Sequence, residues 1–211
     1  MTIRPGEPWG EPVVMPPAAA VASDDASAAS AIEPFLDHGK QPTAVVLAGG
    51  DMARTMGGGT EGRVQAGATL VRAPVDVIRV AAADGRTGTA LAHVVVRSAR
   101  SRISWWRGPV VLVMNAQFIG PYDVAPRSHP NDGRLDVVWV DPTMSPRQRL
   151  AARQRARTGT HLPHPQLRSQ SLRTAEVSLG RELHVWLDGR WWASTTRLTV
   201  SAIPDAAVVL A

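Results

Sequence analysis

Short apolar runs separated by turn residues dominate the chain beyond its first third. Val75 to Ala81, Leu91 to Val96, Pro109 to Ala116 and Leu135 to Val140 are rich in valine and leucine, as are Ala175 to Leu179, Leu183 to Leu187, Leu198 to Val200 and Ala207 to Leu210. Runs of this length and composition predict strands. Asp84-Gly85, Gly108, Asn131-Asp132-Gly133, Gly180 and Asp188-Gly189 stand between them and turn the chain. One segment of this half has a helical start and stop. Ser145 is placed to cap it, Pro146 takes the first helical position, and Gly159 follows its end near Thr158. Many short strands and one packed helix predict a mainly β fold, a β-sandwich-like or meander domain with the helix on one side, from about Arg63 to Ala211.

The first third reads differently. Pro5, Pro8, Pro12, Pro16 and Pro17 are spaced too closely for a helix, so residues 1–23 are expected to form an arm or loop with at most one strand, Val13 to Met15. From Ala26 to Leu36 the pattern suits a short helix that Ser23, Asp24 or Asp25 could cap, with Ile32, Phe35 and Leu36 on one face. Thr43 to Ala48 is an apolar, β-branched strand candidate, ended by Gly49-Gly50-Asp51 before a short helix from Met52 to Met56. A strand, a Gly-Gly turn and a helix can present backbone N–H groups to a phosphate, although tight turns use the same residues. Residues 24–62 thus read as a shortened α/β segment.

Composition narrows the chemistry. With 44% apolar and 19% charged residues the chain can bury a core, and with no cysteine it has neither a disulfide framework nor a thiolate nucleophile. No apolar run approaches the roughly 20 residues that span a bilayer, and the start lacks the pattern of a secretory signal, so the expected compartment is the cytoplasm. The net charge of +5 comes from arginine, because Lys40 is the only lysine. That usage reflects either a coding bias or attraction to phosphate on a nucleotide, a lipid headgroup or a nucleic acid. Arg147, Arg149, Arg153, Arg155 and Arg157 share the predicted helix with no acidic neighbour, which gives either a solvated face or a patch for an anionic membrane surface. His129, His161 and His164 lie in proline-flanked turns and read as loop-packing residues rather than a metal site. Trp105-Trp106 and Trp191-Trp192 sit beside arginines, but neighbours on a strand face opposite ways, so at most one of each pair can meet a ligand.

At Ala125-Pro126-Arg127-Ser128-His129-Pro130-Asn131-Asp132-Gly133-Arg134-Leu135-Asp136-Val137-Val138 the sequence resembles the signature turn and strand of the C-terminal domain of diacylglycerol kinase and sphingosine kinase-like lipid kinases. Thr158-Gly159-Thr160-His161-Leu162 resembles the segment after that family's helix, and Val185-Trp186-Leu187-Asp188-Gly189 its last Asp-Gly turn. Gly49-Gly50-Asp51-Met52-Ala53-Arg54 is similar to its second glycine-rich motif, which lies near bound nucleotide. The resemblance implies a cleft between the two parts with Asp51, Arg54 and Asp188 nearest to it, ATP contacted by Gly49, Gly50, Asp51, Arg54, Asp24 and Asp25, and Asp188 as the retained catalytic candidate. It also implies a structural magnesium site made by Asp132 with the carbonyls of His129 and Arg134, whose bland alternative is a plain Asn-Asp-Gly turn.

The departures are as specific as the matches. Ser23-Asp24-Asp25-Ala26-Ser27 stands where the family has a Gly-Gly-Asp-Gly-Thr phosphate loop and holds no glycine. Ala48 and Gly50 replace a threonine and an asparagine of the second motif. Arg190 stands after Asp188-Gly189 where the family has the glutamate that takes the lipid hydroxyl's proton, and arginine cannot act as a base. The expected function is therefore a lipid-kinase-like protein that binds lipid or nucleotide but is degenerate in catalysis. An active ATP-dependent lipid kinase is the second reading and a basic nucleic-acid-binding module, which lacks a motif, the third. An exposed sheet edge makes a homodimer an expectation too.

Overall fold

The computed structural model describes residues 9–16, 19–36, 44–58, 64 and 67–211. Pro5, Pro8, Pro17, Lys40, Thr43, Gly59 and the expected boundary at Arg63 lie outside the described residues.

In chain order the elements are β1 (Glu11–Val14), β2 (Ala20–Ala22), α1 (Asp25–Leu36), β3 (Val45–Leu47), α2 (Asp51–Thr55), β4 (Thr69–Ala82), β5 (Thr87–Ala90) and β6 (His93–Arg97). A 3₁₀ turn over Arg102–Trp105 leads to β7 (Val110–Met114), the short hairpin β8 (Phe118–Ile119) and β9 (Tyr122–Asp123), and β10 (Leu135–Val140). Helix α3 (Pro146–Arg155) follows, then β11 (Leu167–Leu172), β12 (Thr174–Leu187) and β13 (Arg190–Leu210).

The fold is mainly β. One sheet runs in the order β1-β4-β13-β12-β6-β7-β10-β11, with β5 against β4 and with β2 and β3 joined to it through parallel pairing of β3 with β13. Strands β12 and β13 make this continuous sheet fold over on itself. The register of β12 shifts between Ser178 and Leu183, around Gly180 at φ +65°, so its first half pairs only with β13 and its second half also with β6. Leucine and valine from both halves then meet: Ile78, Val80, Val96, Val113, Leu183 and Leu198 are buried in one core. A second core lies under α1, where Ala28, Ile32, Leu47 and Met52 pack on Val75, Val77 and Val209.

Several local expectations are met closely. Ser145 accepts from the N–H of Gln148 while the Gln148 side chain accepts from the N–H of Ser145, a capping box worth about 1 kcal/mol. Gly159 ends the following turn at φ +66°.

Other expectations need correction. Two strands predicted separately, Ala175 to Leu179 and Leu183 to Leu187, are one strand, because Gly180 makes a bulge inside the pairing rather than a turn. Leu198 to Val200 and Ala207 to Leu210 likewise belong to β13, which shifts register near Asp205 at φ +52°. Residues Ala20 to Ala22, expected in a loop, form β2 because β3 offers them a parallel partner. Strand β11 has a largely polar sequence and is held by pairing with β10. Trp105 lies on a 3₁₀ turn and not on a strand, so the alternation argument does not govern that pair. Arg149 is not on a solvated face: it is 6% exposed.

Candidate functional site

Strand β3, the Gly49-Gly50 turn and α2 carry one side of a carboxylate cluster, α1 a second and the β12–β13 turn a third. Asp24 accepts from the N–H of Ser27 at 2.7 Å and so caps α1. Asp25, the next residue and 5% exposed, turns its carboxylate toward α2 and accepts from the N–H groups of Asp51 at 2.6 Å and Met52 at 3.1 Å. Gly50 is required there. Its φ is +104°, and a Cβ would stand 2.5 Å from Asp25 Oδ1. Burial, with the nearby charge of Asp188, pushes Asp25 up to about 7 despite those two hydrogen bonds.

Asp188 sits at φ +46° in the β12–β13 turn. Its carboxylate accepts from three successive N–H groups, those of Leu91 at 2.7 Å and of Ala92 and His93 at 2.9 Å. Burial nevertheless raises it to about 6. Asp51 accepts from the N–H of Gly120 at 2.7 Å and lies 3.5 Å from Nδ1 of the buried His93. Burial raises Asp51 and lowers His93, and each opposes the shift of the other. Arg54 donates to the carbonyl of Gly120, the residue whose N–H bonds Asp51, lies 3.9 Å from the centre of the Phe118 ring, and through its charge draws Asp51 down against the effect of burial. Arg190, itself largely exposed, reaches Asp24, at 3.0 Å and 3.2 Å from its two carboxylate oxygens.

Asp25, Asp51 and Asp188 thus come together, with Asp24 and Arg190 at the edge, and Gly49 and Gly50 shape the turn. The backbone N–H groups that a phosphate would use at the start of α2 already serve Asp25. A nucleotide phosphate does not fit that seat unless this carboxylate leaves it.

The His129–Arg134 turn lies elsewhere. Asp132 accepts from the N–H of Arg134 at 2.9 Å, Asn131 bonds Asp205, and Gly133 donates to the buried Asp76 at 2.6 Å. His129 stacks edge-on against Trp9, 4.7 Å between ring centres. Burial raises Asp132, whose charge in turn helps raise Asp136. The donors here are oxygens, which suit a hard cation. Among the described residues no three His, Asp or Glu side chains gather to form a cage, so water would have to complete the shell.

On the far side of the β6–β7–β10 layer lies a cavity of about 620 Å³. Val110 and Leu112 of β7 and Val138 and Val140 of β10 form its floor, Met144 and Ala152 close it from the α3 side, and Arg102, Trp105, Gly120, Pro121 and Arg153 are the exposed members of its wall. The alternate residues Val111, Val113 and Val137 face the main core, which is why the Val110 to Met114 run is apolar throughout. His161 is buried beside it, with Nε2 3.1 Å from the Val124 carbonyl.

The profile of the family described as the YegS C-terminal NAD kinase beta sandwich-like domain matches residues 60–211. The chain belongs to this family. The same architecture occurs in a crystal structure of a candidate diacylglycerol kinase from Bacillus anthracis strain Sterne, with a TM-score of 0.61, 12% identity, and 90% of this chain and 76% of that chain covered. A crystal structure of a diacylglycerol kinase from the same strain aligns with a TM-score of 0.50 and 15% identity over 80% of this chain and 66% of that one. At such identities the likeness is one of fold. No curated protein matches.

Two features of this YegS-type chain escape the sequence reading. His93 gives no local signal, since it is an isolated histidine at the start of a strand, and only the fold sets it beside Asp51. The cavity had a usable signal in the unbroken Val110 to Met114 run, because a strand that is apolar on both faces must be covered on both.

Proposed function

We propose that this chain is a lipid-binding member of its family that has lost phosphoryl transfer. The observation that carries lipid binding is the cavity: about 620 Å³ of largely apolar space, large enough for a substantial part of an acyl chain, beside the exposed cations Arg102 and Arg153 that suit an anionic or polar headgroup. Loss of transfer is supported by Asp25, whose carboxylate occupies the N–H groups at the start of α2, and by Arg190, which stands where the resemblance calls for a base.

Calorimetric titration with dioctanoylglycerol, which dissolves without a bilayer, tests the cavity. Binding should weaken about tenfold or more in Ala152→Trp, whose indole would fill the cavity from α3, with little change in melting temperature. Equal binding by the variant, or none by the wild type, overturns the lipid assignment.

A second reading, an active kinase transferring the γ-phosphate of ATP to a diacylglycerol-like hydroxyl, draws support from the pairing of Asp51 with His93 beside Asp188. It would require Asp25 to release the start of α2. A nucleic-acid-binding module, the third reading, has no recognisable sequence motif to support it.

A further inference from the structure

We propose that the 3₁₀ turn over Arg102–Trp105 is a docking element that seats the protein on an anionic bilayer, at the rim of the cavity. The proposal rests on the lipid reading of that cavity in one respect, that the turn supplies part of its wall.

Three observations carry it. Ile103 is 61% and Trp105 39% exposed, two positions apart on one turn, and Leu150 of α3 is 46% exposed. Large apolar side chains in such positions gain by leaving water, and an indole is suited to the boundary between headgroups and acyl chains.

The turn is also held in place. Arg149 of α3 donates to the carbonyls of Trp105 at 3.1 Å, Gly108, Asp141 at 3.0 Å and Met144 at 3.0 Å, so one buried guanidinium fastens the turn to the helix. The Trp105 ring rests on Arg97, 4.9 Å from ring centre to guanidinium, and Arg97 stacks on Trp186 at 3.8 Å on its own account. A clamped turn presents Ile103 and Trp105 with little ordering left to do on contact.

The third observation is charge. Residues 85–122 and 142–175, which supply the turn and α3, contain no aspartate or glutamate, whereas Arg100, Arg102 and Arg107 surround Ile103 in sequence and α3 exposes Arg147 and Arg155. The acidic residues at the borders are engaged, Asp84 with Arg86, Asp123 with Gln117, Asp141 with Thr143 and Glu176 with Arg197. A surface with apolar side chains ringed by cations complements anionic headgroups over their acyl chains, and each basic side chain at such a surface strengthens binding about fivefold.

Flotation of the full chain with vesicles tests this. Vesicles of phosphatidylcholine alone should bind weakly, and replacing about one third of the lipid by phosphatidylglycerol should raise binding about tenfold or more, an increase that high salt removes. Ile103→Asp and Arg107→Glu, neither of which lines the cavity, should each abolish most of that increase while leaving dioctanoylglycerol binding unchanged. Vesicle binding by Ile103→Asp equal to the wild type overturns the docking element, as does indifference to phosphatidylglycerol. Equally tight, Ile103-dependent binding to a random oligonucleotide would assign the surface to nucleic acid, and Ile103-dependent self-association to a second copy, and either overturns the bilayer. A wild type that takes dioctanoylglycerol but no vesicle leaves the cavity standing and removes the docking element alone. A wild type that binds vesicles as expected without dioctanoylglycerol removes the cavity reading alone.

Discussion

The guanidinium of Arg190 reaches both carboxylate oxygens of Asp24, at 3.0 Å and 3.2 Å, across 166 residues of sequence. The two positions at which this chain departs most from the lipid-kinase pattern therefore face each other. Asp24 stands where the resemblance calls for a phosphate-loop glycine and Arg190 where it calls for a base, and each charge answers the other. Both side chains are at least half exposed, so the pair itself should contribute only about 0.2–1 kcal/mol. A double-mutant cycle over Asp24→Ala and Arg190→Ala measures this coupling apart from the loss of the α1 cap, which should make Asp24→Ala the costlier single change by about 1 kcal/mol. Equal costs for the two single variants would show that Asp24 does not cap α1.

Asp25 gives a pH signature. Its carboxyl is raised to about 7 in the folded chain from an ordinary value near 3.8, so the folded state holds this proton more tightly than the unfolded state does. Its contribution to stability is therefore greatest at low pH, and it declines between about pH 4 and pH 7. Asp25→Asn does not titrate and keeps an oxygen for one N–H group. Relative to the wild type its melting temperature should climb from pH 4.5 to pH 7.5 and level off above, and a flat difference would contradict the assigned burial.

Asp188 should act as a clamp on the Leu91–His93 backbone. Asp188→Ala leaves three N–H groups without their acceptor, each costing about 1–3 kcal/mol where water cannot replace it. Amide exchange at Leu91, Ala92 and His93 should accelerate in this variant far more than in Asp188→Asn. Unchanged exchange would show that the carboxylate does not hold this turn.

A divalent cation at the Asp132 turn is expected to raise the melting temperature in proportion to the logarithm of its concentration once above its dissociation constant. Magnesium and calcium titrations followed by thermal denaturation check this. Asp132→Ala should lose the response, and a variant that responds like the wild type would remove the site.

What the sequence made legible was local. The Ser145 cap depends on Gln148 three positions away, and the Asp132 turn on Arg134 two positions away, so their residues announce them. Most strands of the second half were legible for the same reason, since apolar runs and turn residues lie within a few positions of each other, but the polar β11 was not, being held by its pairing with β10. Bulges were not: Gly180 reads as a turn in isolation, and only the register of β12 against β13 keeps the strand going through it. Asp25 on α2, Arg190 on Asp24 and His93 on Asp51 depend on elements brought together by β13 and its parallel partner β3, and no local pattern encodes those meetings. Of the arginines expected on one solvated helix, Arg149 turns inward, because four backbone carbonyls there need donors, and Arg157 lies past the end of α3 on a 3₁₀ turn.

Whether the chain still phosphorylates lipid is decided by a radiolabelled phosphate-transfer assay with magnesium-ATP and dioctanoylglycerol in mixed micelles. With Asp25 seated on the start of α2 and Arg190 paired with Asp24, no labelled lipid above the protein-free background is expected. Labelled lipid that disappears in Asp188→Asn would contradict that expectation and establish an active kinase.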